Sequence, residues 1–286
     1  MIQDLTIIIL TYNEEKKIER ILGSVSKITN NIFVVDSFST DSTPSLVGKF
    51  GIKMVQRAFD GYSEQRNWAQ EHEPFGSNWV MHLDADEPLT PALIDWLLNE
   101  YHDYSDTYDG FMFSRRVYFM GKWIKYGAQY PNYHLRLFRK EIGRCEDKAY
   151  DQHFVLSSGK TKKVRGADIY NTVSDNLDQL IISHNKWASL EASEAIRVSK
   201  LMGEVRARIF GNPIERKRWL KERLYSKMPR FLRSFLYFLY LYLFRLGFLD
   251  GYRGLVYFVL QSFWFRFLVD AKIFELDLVA KEGLDE

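Results

Sequence analysis

The feature that most constrains the fold is a run of apolar, mostly β-branched residues near the amino terminus, from Leu5 to Leu10. A run of this kind is typical of a strand that is buried on both faces of a parallel sheet. Between Glu14 and Ile28 the apolar residues recur at helical spacing, which predicts a crossover helix with Glu14 and Glu15 in its first turn. A strand joined to such a helix favours an α/β fold.

Three further apolar runs repeat this pattern, with connecting segments long enough for right-handed crossovers. The predicted strands are residues 31–36, 52–55 and 79–83. We therefore expect a doubly wound sheet in which most strands are parallel. In such sheets ligands bind beyond the carboxyl ends of the strands. Polar clusters follow three of these ends, at residues 11–14, 36–41 and 84–86.

The third polar cluster is the most informative, because Asp84-Ala85-Asp86-Glu87 comes directly after a predicted buried strand. Acidic groups in such a place are unfavourable unless a cation meets them. A divalent ion that carries a diphosphate would supply that cation. The sequence therefore predicts a metal–diphosphate site here, and the alternative is a solvated acidic turn that opens the helix after Leu89.

Length and composition exclude some classes of protein. A chain of 286 residues can form one α/β domain of about 200 residues and still carry an appendage. The formal net charge of +2 gives no reason to expect nucleic acid as a partner. The single cysteine, Cys145, excludes an internal disulfide and fits a reducing cytoplasm. We expect Cys145 to be structural.

The last third of the chain differs in character from the rest. Basic residues crowd the segment 206–233, and two aromatic, apolar stretches cover Phe231–Phe244 and Leu255–Val269. Each stretch is shorter than the ~20 apolar residues of a membrane-spanning helix, and the turn Gly247–Gly251 between them predicts a helical hairpin. We expect residues 206–270 to lie on a membrane surface. Core helices or an oligomer interface are the alternative.

The turn after the first strand is a candidate for binding a nucleotide. Its residues are Thr11, Tyr12, Asn13 and Glu14, whose side chains and following free helix amides could hold a nucleobase and phosphates. The chain has neither the GxGxxG pattern nor the lysine of a P-loop. A dinucleotide or ATP site of the glycine-rich type is therefore disfavoured.

Two later positions also suit a nucleotide ligand. Asp36 follows the second strand and can accept a hydrogen bond from a base or ribose, whereas a helix-capping role falls better to Asp41 or Ser42. Arg66 lies on a helix predicted after a glycine turn, and its guanidinium suits bidentate contact with a diphosphate. The neighbouring Asn67 could bind a sugar hydroxyl. The alternative for this helix is an ordinary charged surface.

Together these motifs resemble family 2 glycosyltransferases of the GT-A fold. The matching segments are Thr11–Glu15, Val34–Asp41, Asp60–Asn67 and Leu83–Glu87. The resemblance is specific in order and spacing. It extends, in the manner of the lipopolysaccharide-core β-1,4-glucosyltransferase branch, through Tyr118–Trp123, Tyr130-Pro131, Leu135–Arg139 and Leu246–Gly251.

The resemblance covers nearly the whole chain and implies its domain organisation. We expect a GT-A catalytic domain at residues 1–200, a Rossmann-like, doubly wound and mostly parallel mixed sheet. Its nucleotide-sugar half would be residues 1–108 and its acceptor half residues 109–200. An amphipathic helical, membrane-associating region would follow at residues 201–286.

The resemblance also implies roles for particular residues. Tyr12 and Asp36 would contact the base, Arg66 the diphosphate region, and Asp84 and Asp86 the ribose and the metal. The implied nucleotide-sugar contacts are Thr11, Tyr12, Asn13, Glu14, Asp36, Arg66, Asn67, Asp84 and Ala85. Asp86 would be the direct ligand of Mg²⁺ or Mn²⁺, because such ions need only one or two protein carboxylates when phosphates and water supply the rest. The ion would neutralise charge on the departing nucleoside diphosphate.

An inverting transfer also requires a general base for the acceptor hydroxyl. The acidic segment downstream offers Asp151 as the first candidate and Glu146 as the second. The resembled branch more often has a His-Glu pair here, so the order Asp151-Gln152-His153 is a departure from its pattern. His153 and His184 are candidate metal or diphosphate contacts, with structural hydrogen bonds as the alternative.

The acceptor site is expected around three aromatic residues and one arginine. Trp123, Tyr126 and Tyr130 suit stacking against the apolar face of a sugar, and Arg136 is expected beside them. The alternative is ordinary packing of these rings.

We therefore predict a metal-dependent inverting glycosyltransferase. It would move a hexose, with glucose favoured, from a UDP-sugar to a lipid-linked or lipopolysaccharide-type glycan, and it would be cytoplasmic and peripherally bound to the inner face of the cell membrane. A sugar nucleotidyltransferase is one alternative, although it normally has a glycine-rich amino-terminal loop that this chain lacks. A non-catalytic membrane scaffold that keeps the fold is the other.

Overall fold

The computed structural model describes residues 1–147, 152–174, 176–197 and 228–282. They form two compact units. The first contains 1–116, 131–147 and 152–172, and the second contains, of the described residues, 117–130 and those from 173 onward. The predicted boundary at residue 200 and most of the basic segment 206–233 lie outside the described residues.

The regular elements are numbered here in chain order. The strands are β1 Leu5–Thr11, β2 Ile32–Asp36, β3 Lys53–Gln56, β4 Trp79–Asp84, β5 Gly110–Phe119, β6 Lys122–Ile124, β7 Tyr133–Arg139, β8 Gly143–Cys145, β9 Phe154–Leu156 and β10 Thr161–Thr172. The α-helices are α1 Ile18–Val25, α2 Thr43–Lys49, α3 Tyr62–Glu71, α4 Pro91–Asn99, α5 Tyr101–Ser105, α6 Leu177–Arg197, α7 Leu232–Leu239, α8 Gly251–Phe258 and α9 Phe265–Glu282. Wider π-helical turns occur at Tyr240–Phe244 and Val259–Trp264, and a 3-10 turn occurs at Gly247–Asp250.

The main sheet has the strand order β10-β5-β7-β4-β1-β2-β3, with β6 paired to β5. Strand β1 pairs in parallel with β2 and β4, and β2 pairs in parallel with β3. Strand β7 is antiparallel to both β4 and β5. The predicted doubly wound, mixed sheet is therefore confirmed. The four predicted strands all form, with ends that differ from the prediction by one residue.

Helix α1 begins later than its periodicity suggested. Its apolar face, including Ile18, Leu22 and Val25, is buried as predicted. Glu14 and Glu15, however, precede the helix in a turn, so the prediction that they lie in its first turn is wrong. The chain turns before Ile18 because the side chains of Ser39, Asp41 and Thr43 bind the backbone amides of residues 13–15.

The second unit is built on apolar contacts between its helices. Ala188 and Ala192 of α6 are buried against Phe265 and Val269 of α9. Residues 247–280 form a helical stretch that is long and apolar enough to cross a membrane, judged by length and composition, and 39% of its most apolar window is buried. The expectation that the second apolar stretch is too short for a membrane-spanning helix is therefore wrong, because the helical stretch begins before Leu255 and continues beyond Val269.

Candidate active site

The turn after β4, residues Asp84–Glu87, is closed by two reciprocal hydrogen bonds. The Glu87 N–H donates to the Asp84 carbonyl at 2.9 Å, and the Asp84 N–H donates to Glu87 Oε2 at 3.2 Å. We call this segment the acidic turn. The two bonds fix its ends and leave Ala85 and Asp86 between them.

Three arginines balance two of the three acids in this turn. Arg66 donates to Asp84 Oδ1 at 2.8 Å, and Arg136 donates to Glu87 Oε1 at 2.7 Å and to Asp84 Oδ2 at 3.4 Å. The Nε of Arg115 lies 3.1 Å from Glu87 Oε1. Burial alone would raise the pKa of Asp84, but Arg66 and Arg136 hold that pKa well below its usual range. Asp84 is therefore a permanent anion.

Asp86 has no such balance. It is half-buried, and within the described ranges no residue donates a hydrogen bond to it or forms an ion pair with it. Burial, with the charges of Glu87 and Asp84, raises the pKa of Asp86 to about 7. The charges of Lys17 and Arg115 lower this pKa only in part. A carboxylate that is crowded by anions and forms no ion pair with the described residues fits a site for a metal ion.

The protein could supply only a few ligands to such an ion. Among the residues that the structure describes, no group of three or more His, Cys, Asp or Glu could hold a metal. A small divalent ion commonly keeps several waters and binds one or two carboxylates together with substrate phosphates. The carboxylate of Asp86 could hold an ion in this way, together with the phosphates of a substrate and water.

Two side chains of the β2–α2 loop and one at the start of α2 bind the turn after β1. The bonds run from Asn13 N–H to Ser39 Oγ at 2.8 Å, from Glu14 N–H to Thr43 Oγ1 at 2.8 Å, and from Glu15 N–H to Asp41 Oδ2 at 3.1 Å. The expectation that these amides are free to hold phosphates is therefore wrong. Thr11 is buried, whereas the ring of Tyr12 is exposed at the carboxyl end of β1.

Asp36 lies opposite Thr11, the residue before Tyr12, in the β1–β2 register. Its buried carboxylate accepts hydrogen bonds from the Ser39 amide at 2.9 Å, from the Ser39 hydroxyl, and from Gln56 Nε2 at 3.1 Å. Asp36 thus holds the loop that in turn binds the turn after β1. A contact between Asp36 and a base stays a prediction.

Helix α3 positions Arg66 as expected but uses Asn67 differently. The guanidinium of Arg66 is buried, pairs with Asp84, and lies 5.4 Å from the ring centroid of Tyr62. The Asn67 amide donates to the Cys145 carbonyl at 3.1 Å, and its Oδ1 accepts the Cys145 N–H at 2.9 Å. Both ends of Asn67 therefore hold strand β8, and the predicted sugar contact is replaced by a structural one.

Arg136 also differs from its predicted role at the acceptor. It is only 5% exposed and binds the acidic turn. The β5–β7 register pairs Phe111 with Leu137 and Met112 with Leu135, so Arg136 is the additional residue of a β-bulge. Bulges redirect side chains next to functional sites. The structure therefore assigns Arg136 to Asp84 and Glu87 rather than to an acceptor sugar.

Of the two candidate bases, the structure describes only Glu146. Asp151 lies outside the described residues. Glu146 is fully buried, and its Oε2 accepts the His153 N–H at 3.1 Å. The Nδ1 of His153 lies 3.3 Å from the same oxygen, which is ion-pair distance without the angle of a hydrogen bond. A carboxylate enclosed in this way is poorly placed to reach an acceptor hydroxyl.

His184 lies on α6 in the second unit. Its side chain is buried between Trp187 and Phe265, with ring centroids 4.9 and 5.1 Å away. Its Nδ1 lies 2.8 Å from the Leu180 carbonyl, in hydrogen-bond geometry. Burial lowers the pKa of His184. These are the contacts of a structural histidine, the alternative that the sequence left open, and they give no support to a role in metal binding.

The predicted acceptor aromatics form a small group in the second unit. The rings of Trp123 and Tyr130 meet edge to face at 5.0 Å, and the Lys125 ammonium lies 5.5 Å from the Trp123 ring. The ring of Tyr126 is exposed. This mixture of ring faces and a cation is able to bind a sugar, although contact with an acceptor stays a prediction.

Sequence reasoning missed two residues that shape the acidic turn, Glu87 as its internal anchor and Arg115 as one of its cations. The signal for Glu87 was present, because three acids in four residues after a buried strand require cationic partners. No signal identified Arg115, since it lies on β5, far along the chain from the turn.

Comparisons with known proteins agree with this geometry. The family profile described as Glycosyl transferase family 2 matches residues 6–159. An uncharacterized glycosyltransferase of Rickettsia typhi is 26% identical over 207 residues, which cover 69% of this chain and 70% of the relative. The SPbeta prophage-derived glycosyltransferase SunS of Bacillus subtilis is 29% identical over 137 residues, which cover 40% of this chain and 32% of the relative.

A solved structure has the same fold. The mannosyltransferase PcManGT from Pyrobaculum calidifontis, in complex with GDP-Man and Mn²⁺, matches with a TM-score of 0.57 at 17% identity. The match covers 95% of this chain and 87% of that one. The family profile spans more than half of the sequence and includes β1, the acidic turn and Arg136. The chain belongs to glycosyltransferase family 2 and has the GT-A fold.

Proposed function

We propose that this protein is an inverting glycosyltransferase that moves a hexose from a UDP-sugar to a lipid-linked or lipopolysaccharide-type glycan. The observation that carries the proposal is the charge pattern of the acidic turn. Asp84 and Glu87 are paired with arginines, whereas Asp86 has no partner among the described residues. One unbalanced carboxylate next to a permanent anion is suited to a divalent ion held jointly with a nucleoside diphosphate.

Asp86 would hold the ion, and Asp84 would stay ionised beside it because two arginines stabilise its charge. When bound, Mg²⁺ or Mn²⁺ supplies Lewis-acid assistance to the departing nucleoside diphosphate. Mn²⁺ accompanies GDP-Man in the structural neighbour PcManGT, which supports a divalent ion and a nucleotide sugar here. UDP-glucose is favoured by the resemblance to lipopolysaccharide-core glucosyltransferases, and GDP-mannose is the competing donor.

The donor side of the site would use the ends of β1 and β2. The exposed ring of Tyr12 would stack on a base, and Asp36 lies opposite Thr11 on the neighbouring strand. Arg66 would act on the diphosphate mainly by fixing Asp84, because its guanidinium is already paired with that carboxylate.

For the general base we propose Asp151, with Glu146 as the weaker candidate. The burial of Glu146 supports this order, since a base must come within hydrogen-bond reach of the proton that it removes. Trp123, Tyr126 and Tyr130 would stack on the acceptor sugar.

The acceptor class is supported by the composition of residues 228–269. This segment carries five arginines and a single acid, Asp250, which is buried. Three of these arginines pair with acids outside the segment, at Asp277, Asp270 and Glu191, whereas Arg245 and Arg253 are exposed. Its exposed side chains include Phe244, 77% exposed, and Tyr252, 87% exposed. Cations beside exposed aromatic rings suit an anionic lipid surface. We therefore propose peripheral binding to the cytoplasmic face of the membrane.

A donor screen tests the proposal. Nucleotide release would be measured with UDP-glucose, UDP-N-acetylglucosamine, UDP-galactose and GDP-mannose, each with Mg²⁺, Mn²⁺ or EDTA. We expect turnover of a UDP-sugar that requires a divalent ion. Asp86→Asn should abolish metal-dependent donor binding, whereas the matched change Asp103→Asn, at an exposed aspartate on α5, should not.

The same assay separates donor binding from catalysis. Asp151→Asn should leave donor binding intact and lower transfer by about 10²- to 10⁴-fold, the usual contribution of a general base. Equal loss of binding in Asp86→Asn and Asp151→Asn would show that the base is wrongly assigned. Undiminished donor binding in Asp86→Asn, or no nucleotide-sugar binding by the wild type, would refute the proposed site.

A further inference from the structure

The segment Leu246–Gly251, which we call the glycine turn, has no part in the proposed chemistry. Its one acidic residue, Asp250, is 2% exposed. Both carboxylate oxygens of Asp250 accept the Lys125 N–H, at 3.2 and 3.1 Å, and Oδ2 also accepts the Tyr126 N–H at 2.9 Å. The Asp250 carbonyl accepts a hydrogen bond from Lys122 Nζ at 2.6 Å. These hydrogen bonds hold the turn against residues 122–130, which we call the aromatic segment.

Two further contacts hold the aromatic segment on the same side. The Gly127 N–H donates to the Arg245 carbonyl at 2.9 Å, and the Tyr257 hydroxyl donates to Gln129 Oε1 at 3.0 Å. Gly127 has a φ of 63°, and a Cβ on it would overlap the ring of Phe258. Only glycine meets both conditions without strain.

Glycines also allow Asp250 to sit under the segment. A Cβ on Gly254 would collide with the Asp250 Cβ and would lie 3.0 Å from the Gly247 carbonyl. The start of α8 can therefore pass close to the turn only because Gly254 has no side chain. Hydrogen bonds from backbone amides to a buried carboxylate are charge-assisted, and they leave the amides unsatisfied if the carboxylate is removed.

We infer that Asp250 is a positioning residue for the acceptor: it fixes the aromatic segment so that Trp123, Tyr126 and Tyr130 present their rings to the acceptor sugar. The inference rests on the proposed function, which assigns these rings to the acceptor. The outer side of the same turn exposes Phe248 and Leu249. One short turn thus joins the proposed lipid-facing surface to the proposed sugar-binding rings.

Kinetics with defined acceptors test this inference. The probes are octyl β-glycosides of glucose, galactose, N-acetylglucosamine and mannose, each with the donor identified by the screen. Asp250→Asn keeps one carbonyl oxygen for the two amides, whereas Asp250→Ala keeps none. We expect the acceptor KM to rise about tenfold in Asp250→Asn and further in Asp250→Ala, since each lost buried hydrogen bond is worth about one decade. The Kd of the donor should change less than about twofold, because no donor contact is removed.

Two further variants complete the design. Gly127→Ala disturbs the aromatic segment without changing Asp250, because its Cβ would overlap the ring of Phe258, and it should raise the acceptor KM in the same way. Asp277→Asn is the matched control, because Asp277 is a partly exposed aspartate of the same unit that pairs with Arg230 on the protein surface. It should leave both constants unchanged. Hydrogen exchange at the Lys125 and Tyr126 amides should be faster in Asp250→Asn than in Asp277→Asn.

The outcomes separate this inference from the proposed function. Parallel losses of donor affinity and acceptor KM in Asp250→Asn would mean that the turn is merely structural and would overturn the inference. Donor hydrolysis by the wild type without transfer to any of the glycosides would overturn it as well, because rings poised for a sugar must accept one of them. Failure of the wild type to bind any nucleotide sugar would instead reject the proposed function. If Asp250→Ala does not fold, the acceptor KM values of Asp250→Asn and Gly127→Ala test the positioning role.

Discussion

The acidic turn of the first unit and the glycine turn of the second treat their carboxylates in opposite ways. Asp250 in the glycine turn is buried, and backbone amides satisfy both of its oxygens. Asp86 in the acidic turn is half-buried, stands beside two other acids, and has no partner in the parts of the chain that the structure describes. Both follow strongly apolar sequence, so sequence context alone does not distinguish them.

The difference shows how to separate a structural acid from one that awaits a ligand. Buried polar groups in folded proteins are nearly always hydrogen-bonded, and a group left without its partner marks a functional site. By this criterion Asp84, Glu87 and Asp250 belong to the scaffold, whereas Asp86 forms no ion pair in the described parts of the chain and is the carboxylate that we propose for a bound cation. Three experiments test this difference between the two turns.

The largest effect should come from removing a cation of the acidic turn. Arg136→Met removes one cation from each of two acids. Glu87 then keeps its ion pair with Arg115, and Asp84 keeps its ion pair with Arg66. Breaking a buried ion pair on one side typically destabilises by about 3–5 kcal/mol, because the remaining charge is uncompensated. Urea unfolding would measure this loss. Arg165→Met, at an exposed arginine of β10, is the control, and a loss below about 1 kcal/mol for Arg136→Met would contradict the scaffold role.

A bound ligand should distinguish the two turns by a smaller amount. UDP-glucose with Mn²⁺, at about a hundredfold excess over its Kd, should stabilise the wild type by about 2.7 kcal/mol. The stabilisation should vanish in Asp86→Asn and persist in Asp250→Asn, as measured by thermal unfolding with and without EDTA. Persistence in Asp86→Asn would show that the missing charge is supplied elsewhere.

The smallest effect concerns the pH dependence of stability without metal. The pKa of Asp86 is about 7 in the folded protein, against 3.8 for an ordinary aspartate. The folded state therefore binds the proton of the Asp86 carboxyl group more tightly than the unfolded state does. The stability that this proton contributes is present below pH 4 and is lost as the pH rises to about 7. Asp86→Asn stays neutral and should be more stable than the wild type at pH 8. A pKa rise of this size corresponds to about 4 kcal/mol, but solvent screening at a half-buried carboxylate reduces the expected gain to on the order of 1 kcal/mol, or about 2–4 °C in Tm.

The matched measurement for this last prediction uses Asp250→Asn. Its loss of hydrogen bonds should destabilise the protein at both pH 4 and pH 8. If Asp86→Asn were destabilising at pH 8 as well, the two carboxylates would be alike, and the contrast between the turns would be refuted.

The four strands β1 to β4 could be predicted from the sequence, because a buried strand is recognised by the apolar composition of its own few residues. The apolar runs of β1, β2, β3 and β4 are short, buried segments whose composition identifies them without knowledge of their neighbours. The start of α1 was missed because Ser39, Asp41 and Thr43 bind the amides before it. These residues lie nearly thirty positions further along the chain, beyond the reach of helix periodicity.

The α/β fold, the acidic turn and the family resemblance could be predicted from the amino-acid sequence, since each depends on residues adjacent along the chain. Which acids have cationic partners became known from the three-dimensional structure alone. Arg66, Arg115 and Arg136 reach the acidic turn from three different elements, and Asp250 meets its amides across more than a hundred residues. Electrostatic and hydrogen-bond partners are set by distances of a few ångströms in space, and the order of residues along a chain does not specify those distances.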